Sequence, residues 1–173
     1  MRPSVWRRAG AVARSPGVLF LRSLFFVVLL PGTVTVLVPR WLLAGTHAAW
    51  GVRAAVALAP IAAGAAILLR CVWDFAVSGR GTLAPVDPPE ELVVSGFYRH
   101  VRNPMYVGVL AALLGEALLF ASGAVLLWAA TFFVVGHLFV VLYEEPNLQH
   151  RFGDSYARYR RAVRRWIPGR AAR

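Results

Sequence analysis

Four apolar runs, Val18 to Val38, Ala49 to Leu69, Met105 to Ala121 and Ala124 to Tyr143, limit what this chain can fold into more than any other feature. Each is close to the ~20 residues that carry an α-helix across the hydrocarbon of a bilayer. Hydrophobic residues make up 58% of the 173, with a mean hydropathy of +0.60, against about 45–50% in a soluble domain. In lipid every backbone N–H and C=O must be satisfied within the protein, and an unbroken apolar run of this length does so as a helix. The expected fold is therefore an all-α polytopic membrane protein with about four transmembrane helices.

The polar residues divide the chain into one membrane domain with four parts. Residues 1–16, with Trp6 among Arg2, Arg7, Arg8 and Arg14, read as a basic interfacial arm; 17–70 hold two N-terminal spans; 71–168 hold a core with two more; 169–173 are a tail. All 19 basic residues are arginine and the net charge is +11. Arginines flanking apolar runs face anionic headgroups, and no nucleic-acid motif accompanies them, so the partner is the bilayer rather than nucleic acid. Arginines cluster in the first 16 residues, between residues 70 and 102 and from Arg151 onward, with Arg40 and Arg53 opposite. The positive-inside rule then puts both termini on the cytoplasmic side of the inner membrane. A single cysteine, Cys71, excludes an internal disulfide and a cysteine-only metal site.

Within the spans, Pro31 is expected to kink the first helix, and Pro39 to Ala48 to form a short outer loop. The Ala- and Gly-rich second run, and Gly108, Ala111, Ala112 and Gly115 on the third, suit close helix packing. Glu116 is an ionisable group deep in the third span, and His137 a lone histidine in the fourth, expected to bond a neighbour. Ser122-Gly123 turns the third and fourth spans into an antiparallel hairpin. Pro146 is expected to end the fourth helix. Asp154 then caps a last amphipathic helix from Ser155 to Arg165, with Tyr156, Tyr159, Val163 and Trp166 opposite Arg158, Arg161, Arg164 and Arg165.

The chemistry concentrates at the polar end of that hairpin. From Gly96 to Gly108 the chain passes from a proline-rich loop, through Tyr98, Arg99 and Arg102, into a helix that Asn103 can cap and Pro104 can start. The free N–H groups of its first turn, beside those arginines, suit a carboxylate or phosphate. The hairpin brings this turn beside Glu144 and Glu145. Two acids at a helix C-terminus oppose the helix dipole and need a cation, supplied by Arg99, Arg102, Arg151 or a bound ligand.

Gly-x-Tyr-x-x-x-Arg-x-Pro-x-Tyr-x-Gly, then Glu144-Glu145, then Phe152-Gly153-x-x-Tyr156-x-x-Tyr159, resembles the C-terminal half of the isoprenylcysteine carboxyl methyltransferase and phospholipid N-methyltransferase superfamily, over residues 87–168. The resemblance implies an S-adenosyl-L-methionine-dependent methyltransferase acting on a lipid-like or small hydrophobic acceptor: a carboxylate, an amine or a thiol. It implies cofactor binding by Tyr98, Asn103, Pro104, Met105, Tyr106 and Glu144, with Glu90, Glu91, Leu92 and Val93 lining the pocket. Arg102 and Glu144 would be the catalytic residues. Asn103 stands where the family has histidine, and asparagine carries no proton. Val140 stands where the prenylcysteine enzymes place an acceptor-binding arginine, which argues against a prenylcysteine acceptor.

No dinucleotide fingerprint, Walker sequence, zincin or nucleophile-elbow motif is present, and the four histidines show no metal-ligand spacing. A soluble Rossmann methyltransferase is thereby excluded, and no metal is called for. Two rivals stand beside the methyltransferase: an NADPH-dependent membrane reductase of sterol-reductase type, and a non-catalytic haem- or lipid-handling protein with His137 as ligand.

Overall fold

The computed structural model describes residues 29–48, 50–78, 92 and 94–169. The basic arm, the first part of the first expected span, and Glu90, Glu91 and Val93 lie outside these residues.

Among the described residues five helices run in order: α1, Leu29–Leu42; α2, Val52–Ser78; α3, Pro104–Leu119; α4, Gly123–Phe139; and α5, Glu145–Ala162. A 3-10 turn, Gly96–Arg99, precedes α3. The one strand-like contact among the described residues is a parallel bridge between Val101 and Arg164.

Small residues set the central packing. α2 and α3 run antiparallel with their backbones touching: a Cβ at Gly64 would collide with the Gly108 carbonyl, and one at Gly115 would lie 2.7 Å from the Ala57 carbonyl. Without a hydrophobic drive between helices in lipid, such close approach supplies the dispersion contacts that hold a bundle together. On the other side of α3, Val109, Leu113 and Ala117 form a core with Val125 and Ala129 of α4, and Val34 and Leu42 of α1 pack against it. The α3–α4 turn has Ala121 at φ +48°, and the Ser122 hydroxyl caps α4 by accepting from the Val125 N–H at 3.3 Å.

α1 contains a wide π turn, Thr33–Leu37, immediately before Pro39. There the Val38 N–H bonds the Thr33 carbonyl, and Pro39 has no N–H, so the Val34 carbonyl lacks a backbone donor. The Trp128 indole fills the gap at 3.0 Å, which docks α1 on α4.

Several boundaries differ from expectation. α1 continues through Pro39 to Leu42, so much of the expected outer loop is helical. α2 runs nine residues past Leu69 to Ser78, because Arg70 and Asp74, one turn apart, pair at 3.1 Å and keep the polar end helical. Pro146 does not end a helix: a second π turn, Val140–Glu144, joins α4 directly to α5. The break comes instead at Gly153, whose φ of +52° only glycine adopts without strain. The last helical piece starts just after it and ends at Ala162, three residues short of Arg165. Most of its apolar stripe faces inward. Tyr156, Tyr159 and Val163 are buried, with Leu92, Leu148 and Phe152 packed against them.

Two helices among the described residues are long and apolar enough to cross a membrane: Val52–Asp74 within α2, and the continuous Gly123–Ala162 helix, whose apolar part ends at Tyr143. α3, at 16 residues, and the described part of α1 are shorter. α4 turns Leu126, Leu127, Val134, Val135 and Leu138 outward, each at least half exposed. Such a continuous apolar face suits lipid.

Candidate functional site

The loop that enters the site is latched to α2. Gly96 takes φ +53° and lies so close to Asp74 that any Cβ there would collide with the carboxylate. Asp74 is 3% exposed; Oδ1 accepts from Arg70, and Oδ2 has no hydrogen-bond partner among the described residues. The turn delivers Tyr98 into a buried cluster with Cys71, against which Met105 packs. The Tyr98 carbonyl accepts a 2.7 Å hydrogen bond from the Tyr159 hydroxyl, so α5 grips the same turn.

Asn103 occupies the cap position of α3, but its side chain does not cap the helix. Its Nδ2 instead donates to the Arg165 carbonyl at 3.2 Å. This contact belongs to a set that straps the segment after α5 across the motif: the Arg102 N–H donates to the Arg164 carbonyl at 2.9 Å, and the Gly169 N–H to the His100 carbonyl at 3.0 Å. Pro104 starts α3, and the first bond inside the helix is Val107 N–H to the Asn103 carbonyl. The N–H groups of Met105 and Tyr106 therefore have no partner within the helix.

The acid pair divides its partners unevenly. Glu145, 6% exposed, takes a bidentate pair from Arg165, with Nε–Oε1 at 2.7 Å and Nη2–Oε2 at 3.0 Å, and an ion pair from Arg102 Nη1 at 2.9 Å. The hydrogen bond to Glu145 holds the Arg165 guanidinium above its usual pKa. Arg102 is nine-tenths buried; its Nη1 meets Glu145 as an ion pair outside hydrogen-bond geometry, and its Nε has no hydrogen-bond partner among the described residues. Glu144, half-buried, has neither a hydrogen bond nor an ion pair to another described residue. It lies within electrostatic reach of the Tyr98 and Tyr106 hydroxyls. The site thus holds one carboxylate without a cationic partner among the described residues, and two guanidiniums that share one acid.

Rings wall the site on the α4 side. Tyr106 sits 5.9 Å from Phe132 and 6.0 Å, edge-on, from Trp166. A Cβ at Gly136 would come 2.9 Å from the Tyr106 ring, so that position must stay small. Trp166 donates its indole N–H to His137 Nδ1 at 3.0 Å. Val140 is buried at 1% exposure and offers nothing polar. A separate apolar cleft of about 330 Å³, lined by Ile67, Phe97, Val107 and Pro168 among others, includes neither Glu144 nor Tyr106.

Of the residues singled out from sequence, Tyr98, Arg102, Asn103, Pro104, Met105, Tyr106 and Glu144 converge at this end of the hairpin. Leu92 packs on Tyr156, Tyr159 and Val163. Of the cations expected beside the acids, Arg102 is present. The sequence puts Arg165 and Trp166 only on the faces of a surface helix, yet both belong to the site. Arg165 is one of a run of arginines, and only the return course of the chain after Ala162 singles it out. His137 bonds a neighbour, as expected.

A helical membrane protein with an acid pair and a buried guanidinium at the polar end of its hairpin is the class this fold and site define. The chain belongs to the phospholipid methyltransferase family, whose profile matches residues 52–155. It is similar to phosphatidylethanolamine N-methyltransferase of Talaromyces marneffei, 36% identical over 69 residues, which are 40% of this chain and 7% of that enzyme. It is similar to an uncharacterized protein of Haemophilus influenzae, 36% identical over 63 residues, 36% of this chain and 100% of the relative. The family region takes in α2, ahead of the stretch that carries the motifs, and stops before the strap at 164–169.

Proposed function

We propose that this protein is an S-adenosyl-L-methionine-dependent methyltransferase that acts at the cytoplasmic face of the inner membrane on a lipid-like or small hydrophobic acceptor. One observation carries the reading: Glu145 absorbs two guanidiniums while Glu144 absorbs none. The excess charges are one carboxylate and one buried guanidinium, the complement of an amino-acid zwitterion. The cofactor is such a zwitterion, and when bound it supplies an electrophilic methyl group on a sulfonium.

Glu144 would hold the ammonium, and Arg102, assisted by the free N–H groups of Met105 and Tyr106, the carboxylate. These are the two residues proposed as catalytic. Tyr98, Asn103 and Pro104 hold the turn in place, and Tyr106 with the α4 rings keeps water away. Leu92, with Glu90, Glu91 and Val93, would line the far side, as the resemblance implies. Methyl transfer is a single displacement, so these groups act by aligning the reactants and by electrostatics, with no covalent intermediate on the protein. The fungal relative's name points to the amine of an ethanolamine phospholipid as the first acceptor to try. The arginine distribution supports both termini being cytoplasmic.

Calorimetric titration of S-adenosylmethionine into detergent-purified protein tests this, with NADPH and Glu144→Gln alongside. Saturable binding, weakened at least tenfold in the variant, is expected. Radiolabelled cofactor should be retained by inverted but not by right-side-out membrane vesicles. A folded sample that binds no S-adenosylmethionine would sink the reading, and binding of NADPH in its place would favour the reductase.

A further inference from the structure

The polar groups of α4 are few, and their hydrogen bonds can be followed one by one. The Trp128 indole is used on the Val34 carbonyl and the Thr131 hydroxyl on the Leu127 carbonyl, at 3.0 and 2.9 Å. His137 is the remaining hydrogen-bonding side chain. Its Nδ1 lies 3.0 Å from Trp166 Nε1. An indole nitrogen can only donate, so Nδ1 must present its lone pair, and the proton of the neutral ring then sits on Nε2. Stacking fixes the ring as well: its centroid is 5.8 Å from Trp166 and 6.0 Å from Phe133. Trp166 in turn touches Tyr106, at 6.0 Å. His137 is thus a half-buried, oriented N–H donor one ring away from the proposed methyl-donor site, and Nε2 has no partner among the described residues.

We propose that His137, held in this tautomer by Trp166, is the recognition residue for the methyl acceptor, and that its Nε2–H takes an anionic oxygen of an amphiphile's head group, a phosphate or a carboxylate. The inference rests on the methyltransferase reading for the word acceptor, but not for the anion site itself. A donor N–H pairs with an oxygen and repels an ammonium. The exposed Arg160, Arg161 and Arg164 make the segment that leads to Trp166 strongly positive, which favours an anion over a neutral carbonyl.

The test uses the full chain in maltoside micelles, with ¹⁵N-labelled histidine and with dodecyl phosphate and dodecanoate as probes. The ring ¹⁵N shifts of His137 are expected to report a proton on Nε2, and that resonance should move saturably with an anionic probe. The tighter of the two probes identifies the head group. Affinity should fall at least tenfold in His137→Phe and in Trp166→Phe. It should return in part in His137→Gln, whose amide can accept from the indole and still donate outward. A proton on Nδ1, or unchanged affinity in His137→Phe, overturns the proposal. If His137→Phe fails to fold, the wild-type tautomer and Trp166→Phe decide. Titrating S-adenosylmethionine into the same samples separates the two readings. Cofactor binding without probe binding removes this inference alone. Probe binding with the stated dependences but no cofactor binding leaves an anion site and removes the methyltransferase.

Discussion

Glu145, 6% exposed, anchors two guanidiniums, and that makes it the residue whose loss should be felt first. Glu145→Gln leaves Arg102, nine-tenths buried, without its counter-charge. Breaking a buried pair from one side costs about 3–5 kcal/mol, and thermal unfolding in detergent should register a loss of that order. Arg165→Met should cost less, about 1–3 kcal/mol, because that side chain is 31% exposed and water can solvate the acid that remains. At this scale the acids and the motif residues are legible in the sequence, since adjacent carboxylates at the edge of an apolar run demand cations, even though no helix ends there. The division of labour between Glu144 and Glu145 is not. It depends on Arg165, which nothing in the linear sequence separates from Arg160, Arg161 and Arg164. Asn103 stands at the start of α3, where its sequence context puts it, but its amide bonds the strap rather than the helix, a long-range contact that cap chemistry cannot foresee.

Helix content follows from apolar run length, and the hairpin from Ser122-Gly123, whereas both ends of α2 and the course past Pro146 do not. The reason in the second case is a device used twice. A five-residue π turn precedes Val38-Pro39, and another precedes Glu145-Pro146. In each, the N–H just before the proline reaches back five residues, to Thr33 and to Val140, so the missing proline N–H is absorbed without ending the helix. The extra residue also rotates the next segment by about 100° relative to a regular helix, and thereby sets which way Glu144 and Glu145 face. Pro146→Ala restores a donor and lets the regular register compete. Circular dichroism should show helix content unchanged, while cofactor affinity falls at least tenfold. Unchanged affinity would mean that the wide turn does not set the direction of the acids.

Across the whole molecule, the apolar bundle and the polar site depend on different parts of the chain. α2, α3 and α4 pack through glycines, alanines and aliphatic side chains, none of which needs the segment after Ala162. The site needs it throughout: Arg165 on Glu145, Trp166 on His137 and Tyr106, and the Arg164 and Arg165 carbonyls on the motif. A chain truncated after Ala162 should therefore insert and keep its helices, and should bind no S-adenosylmethionine in a titration where the full chain saturates. Retained binding would show that the strap is dispensable. The strap also gives biosynthesis an order. The helices can enter the bilayer before residues 164–169 lie back across the motif, so assembly of the site is a later step than insertion. A protein cut within the strap would then stay embedded while Glu145, His137 and the motif lose the contacts that residues 164–169 supply.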